Sequence, residues 1–506
     1  MKIKAMAAAL CVAALALTSC GIEDGSGSSA DGKTLNLQTV FAANTVDAQL
    51  NRTSFIMNSG TTETLIGLDR NTNKLYGWLA DEWSSEDAQN WTFHIREGVK
   101  FHNGKDVTAE AVKKSLEHGI EVNPGVATAL KAESIEADGQ TLKIRTTQKY
   151  ASLPSELVHY NNVITDVDAS TDFPIGTGAF KFESFDIKGA ARLTRFDDYW
   201  DGKAKLDSVT MTANEDANAR MLSLQSGQSD VIYRPSLESL DAISKDSNLA
   251  VDAVPGSRVY HLIYNYKGAH ANLWNNIEFR KGVDALVDRE AIAKTILRGR
   301  AVVTDNPFPG DLPTSPKQLE STYNPEKALE HFKAAGLEVK DGKLAEPISM
   351  KLATYNARPE LPQIAQAFQD SAAKVGLNME IHNAENIDEY LAGGDWDVAT
   401  FSLATLTRGD GSYFVNGAFM PDGAQNYGGV DDPELIAKIN TFNETVNEDE
   451  RATQMREIAE DIRSKAYNCY IVSPYETAAY KKTVTGWFTP SNEFEFQMVT
   501  KDLDIE

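Results

Sequence analysis

Residues that could carry catalysis or bind a metal are dispersed along this chain and do not stand in known functional spacings. The eight histidines are scattered, and the sequence has neither a His-Glu-x-x-His motif nor a Cys-x-x-Cys pair. Zinc sites use such spacings because several ligands must converge on one ion. The sequence therefore predicts no metal site built from its own side chains, and it predicts no cofactor.

Glycine-rich and acidic stretches also fail the usual tests for catalysis. The segment 98–105 looks like a phosphate loop, but five residues separate its glycines and Asp106 stands where a hydroxyl would hold Mg²⁺. The sequence has no Gly-x-Ser-x-Gly elbow. Neighbouring carboxylates such as Asp197 and Asp198 arise by chance among 73 acidic residues, so they do not identify a glycosidase pair. The absence of a nucleophile motif favours a binding protein over an enzyme.

The charge and length of the chain narrow the function classes further. The 506 residues include 49 Lys and Arg against 73 Asp and Glu, which gives a formal net charge of −24. A nucleic-acid binder needs basic patches to neutralise phosphates, so this balance predicts no nucleic-acid partner. The length corresponds to about two to four domains.

The first 33 residues predict export and a lipid anchor. Lys2 and Lys4 precede an apolar run at 5–17, which is typical of a signal peptide and short for a membrane span. Residues 17–20 (LTSC) resemble a bacterial lipobox, so we expect cleavage after residue 19 and diacylglycerol on Cys20. An ordinary secretory signal with a chance cysteine is the alternative. Residues 20–33 are rich in Gly, Ser and Asp and predict a flexible tether. The expected location is the extracytoplasmic face of the cell membrane.

Periodic patterns in the remaining chain predict a mixture of strands and helices. Residues 34–40, 91–96 and 141–146 alternate between apolar and polar side chains, as half-buried strands do. Residues 361–375 have the apolar spacing of a helix and lie between the strand patterns 348–354 and 378–382. A strand-helix-strand unit of this kind implies partly parallel pairing. The predicted fold class is α/β with several lobes.

A series of short motifs resembles the family 5 solute-binding proteins of ATP-driven importers, the peptide/nickel type. The matching stretches are residues 79–83 (LADEW), 91–104 (WTFHIREGVKFHNG), 174–180 (PIGTGAF), 195–203 (RFDDYWDGK), 279–283 (FRKGV), 287–292 (VDREAI) and 323–328 (YNPEKA). The resemblance implies a type II periplasmic-binding-protein fold with two main lobes, a hinge and an extra subdomain. Its implied boundaries are 34–58, 174–258 and 476–506 for lobe I, 59–173 for subdomain Ib, and 259–475 for lobe II.

The same resemblance implies capture of a solute between the lobes and its delivery to ABC transporter permease subunits. We expect a monomer that binds oligopeptides or dipeptides by hinge closure. Binding of nickel or a metal–metallophore complex is an alternative within the family. A lipid-anchored extracytoplasmic hydrolase is an alternative of another class, and a peptide receptor for signalling on the same fold also stays open.

Candidate ligand residues follow mainly from the resemblance. Peptide binders of the family often hold the ligand α-ammonium with an aspartate in a loop of lobe II, and Asp410 occupies that stretch here. Arg408 and Gly411 depart from the usual neighbours of this aspartate. Arg258 could bind a ligand carboxylate with its guanidinium fork. The further candidates for the pocket are aromatic or polar: Tyr413, Tyr427, Asn426 and Trp274.

The histidine positions favour peptides over a nickel complex. Nickel-type relatives often use arginines and a pocket histidine to hold a chelated metal. The last histidine of the chain is His382, so the 400–430 loop cannot supply one, and 155–162 offers His159 and Tyr160 without an arginine. A metal–metallophore complex could still bind through Arg258 and aromatic side chains.

Overall fold

The chain forms 22 strands and 15 α-helices in residues 32–169, 172–310, 313–318, 323–492 and 494–506, the parts that the structure, a computed structural model, describes. The strands are β1 (Thr34–Thr39), β2 (Ile66–Leu68), β3 (Leu75–Gly77), β4 (Ala80–Ser84), β5 (Asn90–Ile95), β6 (Ala132–Asp138), β7 (Thr141–Thr146), β8 (Phe180–Phe185), β9 (Ala191–Arg195), β10 (Ser208–Ala213), β11 (Val231–Tyr233), β12 (Leu249–Pro255), β13 (Arg258–Tyr264), β14 (Ala301–Val303), β15 (Val339–Lys340), β16 (Lys343–Leu344), β17 (Ile348–Tyr355), β18 (Leu377–Ala384), β19 (Val398–Ala404), β20 (Asn468–Lys481), β21 (Val484–Thr485) and β22 (Asp504–Ile505).

Most helices lie in the second half of the chain. They are α1 (Phe55–Asn58), α2 (Ala109–Val122), α3 (Pro124–Leu130), α4 (Leu153–Glu156), α5 (Ala217–Gln225), α6 (Leu237–Ile243), α7 (Ala271–Trp274), α8 (Ile277–Asp284), α9 (Arg289–Ala291), α10 (Pro325–Ala334), α11 (Glu360–Ala373), α12 (Ile387–Ala392), α13 (Ser412–Phe419), α14 (Pro433–Glu444) and α15 (Glu448–Ser464). A 3-10 turn at Tyr160–Asn162 and a π-helical turn at Ile292–Ile296 complete the set.

The predicted signal peptide, the lipobox and Cys20 lie outside the described residues. Within those residues, no helix is both long enough and apolar enough to cross a membrane.

One long strand connects most of the β-structure. The largest sheet has twelve strands in the order β18-β17-β19-β13-β20-β11-β1-β10-β9-β8, with β12 and β14 also paired to β20. The first part of β20 pairs with β13 and β14, and its last part pairs with β11 and β12. The strand therefore joins the two halves of the sheet through one continuous segment of backbone.

The parallel unit predicted from the apolar pattern is present. Strands β17 and β18 pair in parallel over eight residues, and α11 connects them and packs on both. The buried face of α11 includes Ile364, Ala365 and Phe368, at the spacing that one side of a helix requires. The α/β expectation from periodicity is met in this part of the chain.

A second, four-stranded sheet with the order β4-β5-β7-β6 forms between residues 80 and 146. Strand β5 alternates exposed and buried residues as predicted, with Trp91, Phe93 and Ile95 inward. Helix α2 packs on this sheet and begins at Thr108, whose side-chain oxygen accepts from the backbone N–H of Ala111 at 3.3 Å. This N-cap satisfies one of the unpaired amides at the helix start.

The buried apolar residues separate into three main clusters. One lies within residues 259–472, one combines 35–57 with 163–233 and 484–503, and one lies within 65–164 with a contribution from Phe496. Each cluster packs against its own part of the sheets. The predicted lobe boundaries are not tested by this division and stay a prediction.

Two glycines allow close backbone contact where the chain returns from the small sheet to the large one. A Cβ atom on Gly176 would lie 2.1 Å from the carbonyl oxygen of Thr61, and one on Gly178 would lie 2.2 Å from that of Gly60. Any side chain at these positions would clash with backbone. Close backbone approach is therefore the structural role of this Gly-Thr-Gly segment.

A buried carboxylate stands beside this crossover. Glu63 is fully buried, and it accepts hydrogen bonds from Thr177 Oγ1 and Tyr199 Oη at 2.7 Å and from Trp200 Nε1 at 3.2 Å. Burial raises the pKa of Glu63 to about 7, although these hydrogen bonds oppose the rise. The carboxyl therefore titrates near neutral pH.

We expect Glu63→Gln to remove part of the pH dependence of stability. The folded pKa lies above the ordinary value of 4.5, so the folded protein holds the proton more tightly than the unfolded chain does. The Glu63 contribution to the free energy of unfolding is present below about pH 4.5 and is lost as the pH rises through 7, about 3 kcal/mol in total. Denaturant unfolding at several pH values measures this loss.

The exposed Glu136→Gln serves as the control for a charge change in the same part of the chain. If the wild-type protein and the Glu63→Gln variant keep a constant difference in unfolding free energy from pH 4.5 to 8, the assignment is wrong.

Candidate functional site

The loop after β19 carries two charged side chains that form separate ion pairs. Strand β19 is buried along its whole length, and α13 begins eight residues after it ends, at Ser412. Between them, Arg408 and Gly409 both have positive φ, 62° and 85°. Two left-handed residues in succession turn the backbone sharply, so Arg408 and Asp410 reach different partners.

Arg408 is buried and forms an ion pair with Glu156 of α4. Tyr150 donates from Oη to the other carboxylate oxygen of Glu156 at 3.0 Å, and the Arg408 guanidinium lies 4.6 Å from the centre of the Tyr413 ring. Burial opposes the positive charge, but the neighbouring anions, led by Glu156, hold the pKa of Arg408 above its usual value. Arg408 therefore links residues 150–156 to the loop after β19.

Asp410 already has a cationic partner from within the chain. Its Oδ2 accepts from Arg451 Nη2 at 2.5 Å, and its Oδ1 accepts from the backbone N–H of Ser412 at 2.9 Å. The same Arg451 nitrogen donates to Ser152 Oγ at 2.8 Å. The carboxylate predicted to hold a ligand ammonium is thus neutralised by a guanidinium, and ligand contact by Asp410 stays a prediction.

Arg258 begins β13 and lies beside a second arginine. Its Nη1 is 3.4 Å from both the backbone oxygen and the Oγ of Ser402. Burial raises the pKa of Tyr355, and the positive charges of Arg258 and Arg358 counteract that rise. Both arginines therefore lie close enough to Tyr355 to act on it, and the carboxylate of Asp388 opposes them there.

The predicted tyrosines lie near these arginines. Tyr427 packs edge-on against Phe401 at 5.6 Å and donates from Oη to Asp388 at 2.7 Å, while the Tyr413 oxygen accepts from Gln425 Nε2 at 2.9 Å. Phe401 also contacts Tyr355 at 6.0 Å between ring centres. Ring contacts and neighbouring charges link a set of residues that we call the cleft cluster: Arg258, Arg358, Arg408, Tyr355, Phe401, Tyr413 and Tyr427.

Two predicted residues have structural contacts instead. The Asn426 amide bonds the backbone of Met420 and Val430 and so closes a turn. Trp274 is fully buried and stacks on Tyr264 at 4.4 Å between ring centres. Neither side chain joins the cleft cluster, and their ligand roles remain untested predictions.

Two further residues of this region were not predicted as ligand contacts. His159 is partly exposed, lies 4.2 Å from the Tyr160 ring centre, and has its pKa lowered well below the usual value by burial and by Arg408. Arg358 follows the end of β17, and among the described residues its guanidinium has no ion-pair partner. The sequence could have indicated Arg358 as a ligand contact because it lies just after a predicted strand, and ligands of α/β proteins bind beyond the carboxyl ends of strands.

The protein offers no ready-made metal site in the part of the chain that is described. No group of three or more His, Cys, Asp or Glu side chains there is placed to hold an ion. A metal bound in the cleft cluster would therefore need most of its ligands from another molecule.

Comparisons with known proteins agree with this architecture. The family model described as "Bacterial extracellular solute-binding proteins, family 5 Middle" matches residues 74–426. The nickel-binding protein NikA of Staphylococcus aureus is 32% identical over 492 residues, which cover 96% of each chain. The glutathione-binding protein GsiB of Pectobacterium atrosepticum is 23% identical over 459 residues, 86% of this chain and 87% of that protein.

Two solved structures of nickel proteins have the same fold. The crystal structure of a nickel ABC transporter protein from Bacillus halodurans gives a TM-score of 0.84 at 37% identity, with 94% of this chain and 100% of that chain covered. NikA from S. aureus in complex with Ni(L-His)2 gives a TM-score of 0.76 at 30% identity, with the same coverage. These similarities confirm the predicted fold class, a type II periplasmic-binding-protein fold.

We expect Arg408→Met to destabilise the protein strongly. Glu156 is 3% exposed, so without the guanidinium its charge would be buried and unpaired. Removing one partner of a buried ion pair costs about 3–5 kcal/mol of unfolding free energy. Denaturant unfolding measures the loss, and the double variant Glu156→Gln with Arg408→Met should recover much of it. A loss no larger than that of the exposed Arg192→Met would contradict this pairing.

Proposed function

Since the chain belongs to family 5 of the bacterial extracellular solute-binding proteins, as its sequence motifs predicted, we propose that it captures nickel as a chelate with a small amino acid such as histidine. The chain would bind this complex in the cleft cluster and present it to an ABC permease. The proposal departs from the peptide ligand that the sequence alone favours.

The observation that carries this choice is the ion pair between Asp410 and Arg451. A peptide ammonium needs an acceptor, and the Arg451 guanidinium already donates to Asp410 at 2.5 Å. Glu156 is likewise neutralised by Arg408. Because an occupied carboxylate gains little from a second cation, neither residue is suited to recognise a peptide N-terminus.

The positive side chains of the cleft cluster suit an anionic or carboxylate-bearing chelator. Arg258 begins β13 and Arg358 follows the end of β17, and both act on Tyr355. A guanidinium group can donate two parallel hydrogen bonds to a carboxylate. The aromatic rings of Tyr355, Phe401 and Tyr427 provide flat apolar walls for an imidazole ring. A neutral His159 could complete the contacts, since the pKa of its imidazole is well below the usual value.

Relatives support the same ligand class. The S. aureus NikA structure contains Ni(L-His)2, and the B. halodurans structure is named for nickel transport. A glutathione-binding relative at lower identity supports a peptide as the second candidate. A non-enzymatic role fits the names of NikA and GsiB, which are both binding proteins.

We further propose that Cys20 carries a lipid and holds the protein on the extracytoplasmic face of the membrane. The lipobox-like residues and the polar tether at 20–33 support this arrangement. The two-lobe boundaries predicted from the sequence would then place the hinge where β20 passes between the halves of the large sheet.

Calorimetric titration can separate the two ligand classes. We expect the protein to bind Ni²⁺ with L-histidine, and to bind Ni²⁺ alone or a dipeptide at least tenfold more weakly. Arg258→Ala and Arg358→Ala should each reduce affinity for the nickel–histidine complex about tenfold, because each removes a charge-assisted contact to the chelator.

The matched control is Arg192→Ala, which removes an exposed arginine of β9 and should leave affinity unchanged. Tight dipeptide binding without binding of the nickel complex would overturn the proposal and restore the peptide function.

A further inference from the structure

A cavity lies beside the Arg408–Asp410 loop. It has a volume of about 690 Å³, within the range of small-molecule sites. One side is formed by residues 72–91 and 151–155, and the other by 409–410 and 446–452. We call this cavity the outer groove.

The wall of the outer groove is largely apolar and aromatic. Leu75, Trp83 and Val446 pack against the core of the small sheet while keeping part of their surface accessible, and Pro154 adds a further apolar face. Trp83 is the accessible indole of this wall, because Trp91 is almost fully buried. An apolar body of small-molecule size could therefore leave water by entering the groove.

The charges around the groove are mainly negative. Glu82, Glu448 and Asp449 line it and are exposed, and none of the three forms an ion pair with any described residue. Lys74 is a positively charged residue of the groove lining. The two terminal nitrogens of Arg451 already donate to Asp410, Ser152 and two backbone carbonyls. The net negative charge of the residues that line the groove therefore favours a positively charged ligand.

The outer groove is separate from the cleft cluster. Gly409 and Asp410 line the groove, whereas Arg408 and its partner Glu156 do not. The Arg258, Tyr355 and Tyr427 side chains are not part of the groove lining either. The loop therefore contributes different residues to the groove and to the cleft cluster.

We propose that the outer groove is a second binding site, for a small hydrophobic cation with an aromatic or alkyl body and one ammonium group. The apolar body lies against Trp83, Leu75 and Val446. The ammonium group faces Glu448 and Asp449 at the start of α15, and the indole face of Trp83 attracts the same charge.

Benzyltrimethylammonium is a suitable probe because it combines an aromatic ring with a permanent positive charge. Titration of the full chain, followed by calorimetry and tryptophan fluorescence, should show one saturable site. The cation should bind at least fivefold more tightly than neutral benzyl alcohol at low ionic strength, and added salt should reduce this difference because the acids are exposed. The anion 4-methylbenzoate should bind more weakly than benzyl alcohol.

Two variants locate the probe. Glu448→Gln with Asp449→Asn should weaken binding of the cation at least threefold and leave benzyl alcohol unchanged. Trp83→Leu should weaken both ligands. The control is Glu457→Gln with Glu460→Gln, which removes two exposed acids from the same helix outside the groove and should change neither affinity.

Two results would overturn the proposal: no saturable binding, or equal affinity of the cation for the wild-type protein and for the Glu448 and Asp449 double variant. If Trp83→Leu does not fold, the double variant Glu448→Gln with Asp449→Asn still tests the proposal. The Glu448, Asp449 and Trp83 variants measure binding in the groove alone. Their results would therefore still test this proposal if the protein did not bind the nickel–histidine complex.

Discussion

The left-handed turn at Arg408 and Gly409 determines how the candidate site is built. Non-glycine residues seldom adopt positive φ, and here a bulky arginine does so at 62° next to a glycine at 85°. A Cβ on Gly409 would lie 2.8 Å from Leu75 Cδ2, so the turn also packs tightly on the hairpin of β2 and β3. Two ion pairs accompany this conformation, the buried pair of Arg408 with Glu156 and the half-buried pair of Asp410 with Arg451. Their charges are tolerated in the interior because each is matched.

Arg451 extends this constraint to the helices. It donates to the carbonyl oxygens of Phe442 and Thr445, which lie at the end of α14, and to Asp410 and Ser152. One guanidinium therefore fixes the corner between α14 and α15, the loop after β19, and the segment before α4. The wall of the cleft cluster and the floor of the outer groove depend on the same set of bonds. A ligand that shifted this loop on one side would change the surface on the other.

Regular elements were accessible from the sequence, whereas the partners of charged side chains were not. The apolar spacing of 361–375 predicted α11 within two residues at each end, because periodic burial is a local property. The segment 289–298 forms α9 followed by a π-helical turn, and Arg298 and Gly299 both have positive φ. The sequence motif offered Asp410 as a ligand residue, but Arg451 arrives from 41 positions away. No local pattern indicates such a pairing, so the same aspartate looked free.

The net charge of the whole chain does not predict the charge of the residues in the cleft cluster. The chain carries a net charge of −24, yet the cleft cluster contains three arginines, one of which, Arg408, is paired with the buried Glu156. Asp388 is the acid that bonds to the cluster, through Tyr427. Exposed charges are screened within about 8 Å at physiological ionic strength, whereas buried charges in a closed site are screened much less. The surplus of surface acids therefore has little influence inside the cleft. At Tyr355, whose pKa burial raises, Arg258 and Arg358 each lower the pKa more than the carboxylate of Asp388 raises it. A strongly acidic protein can in this way present a locally cationic site to a carboxylate-bearing ligand.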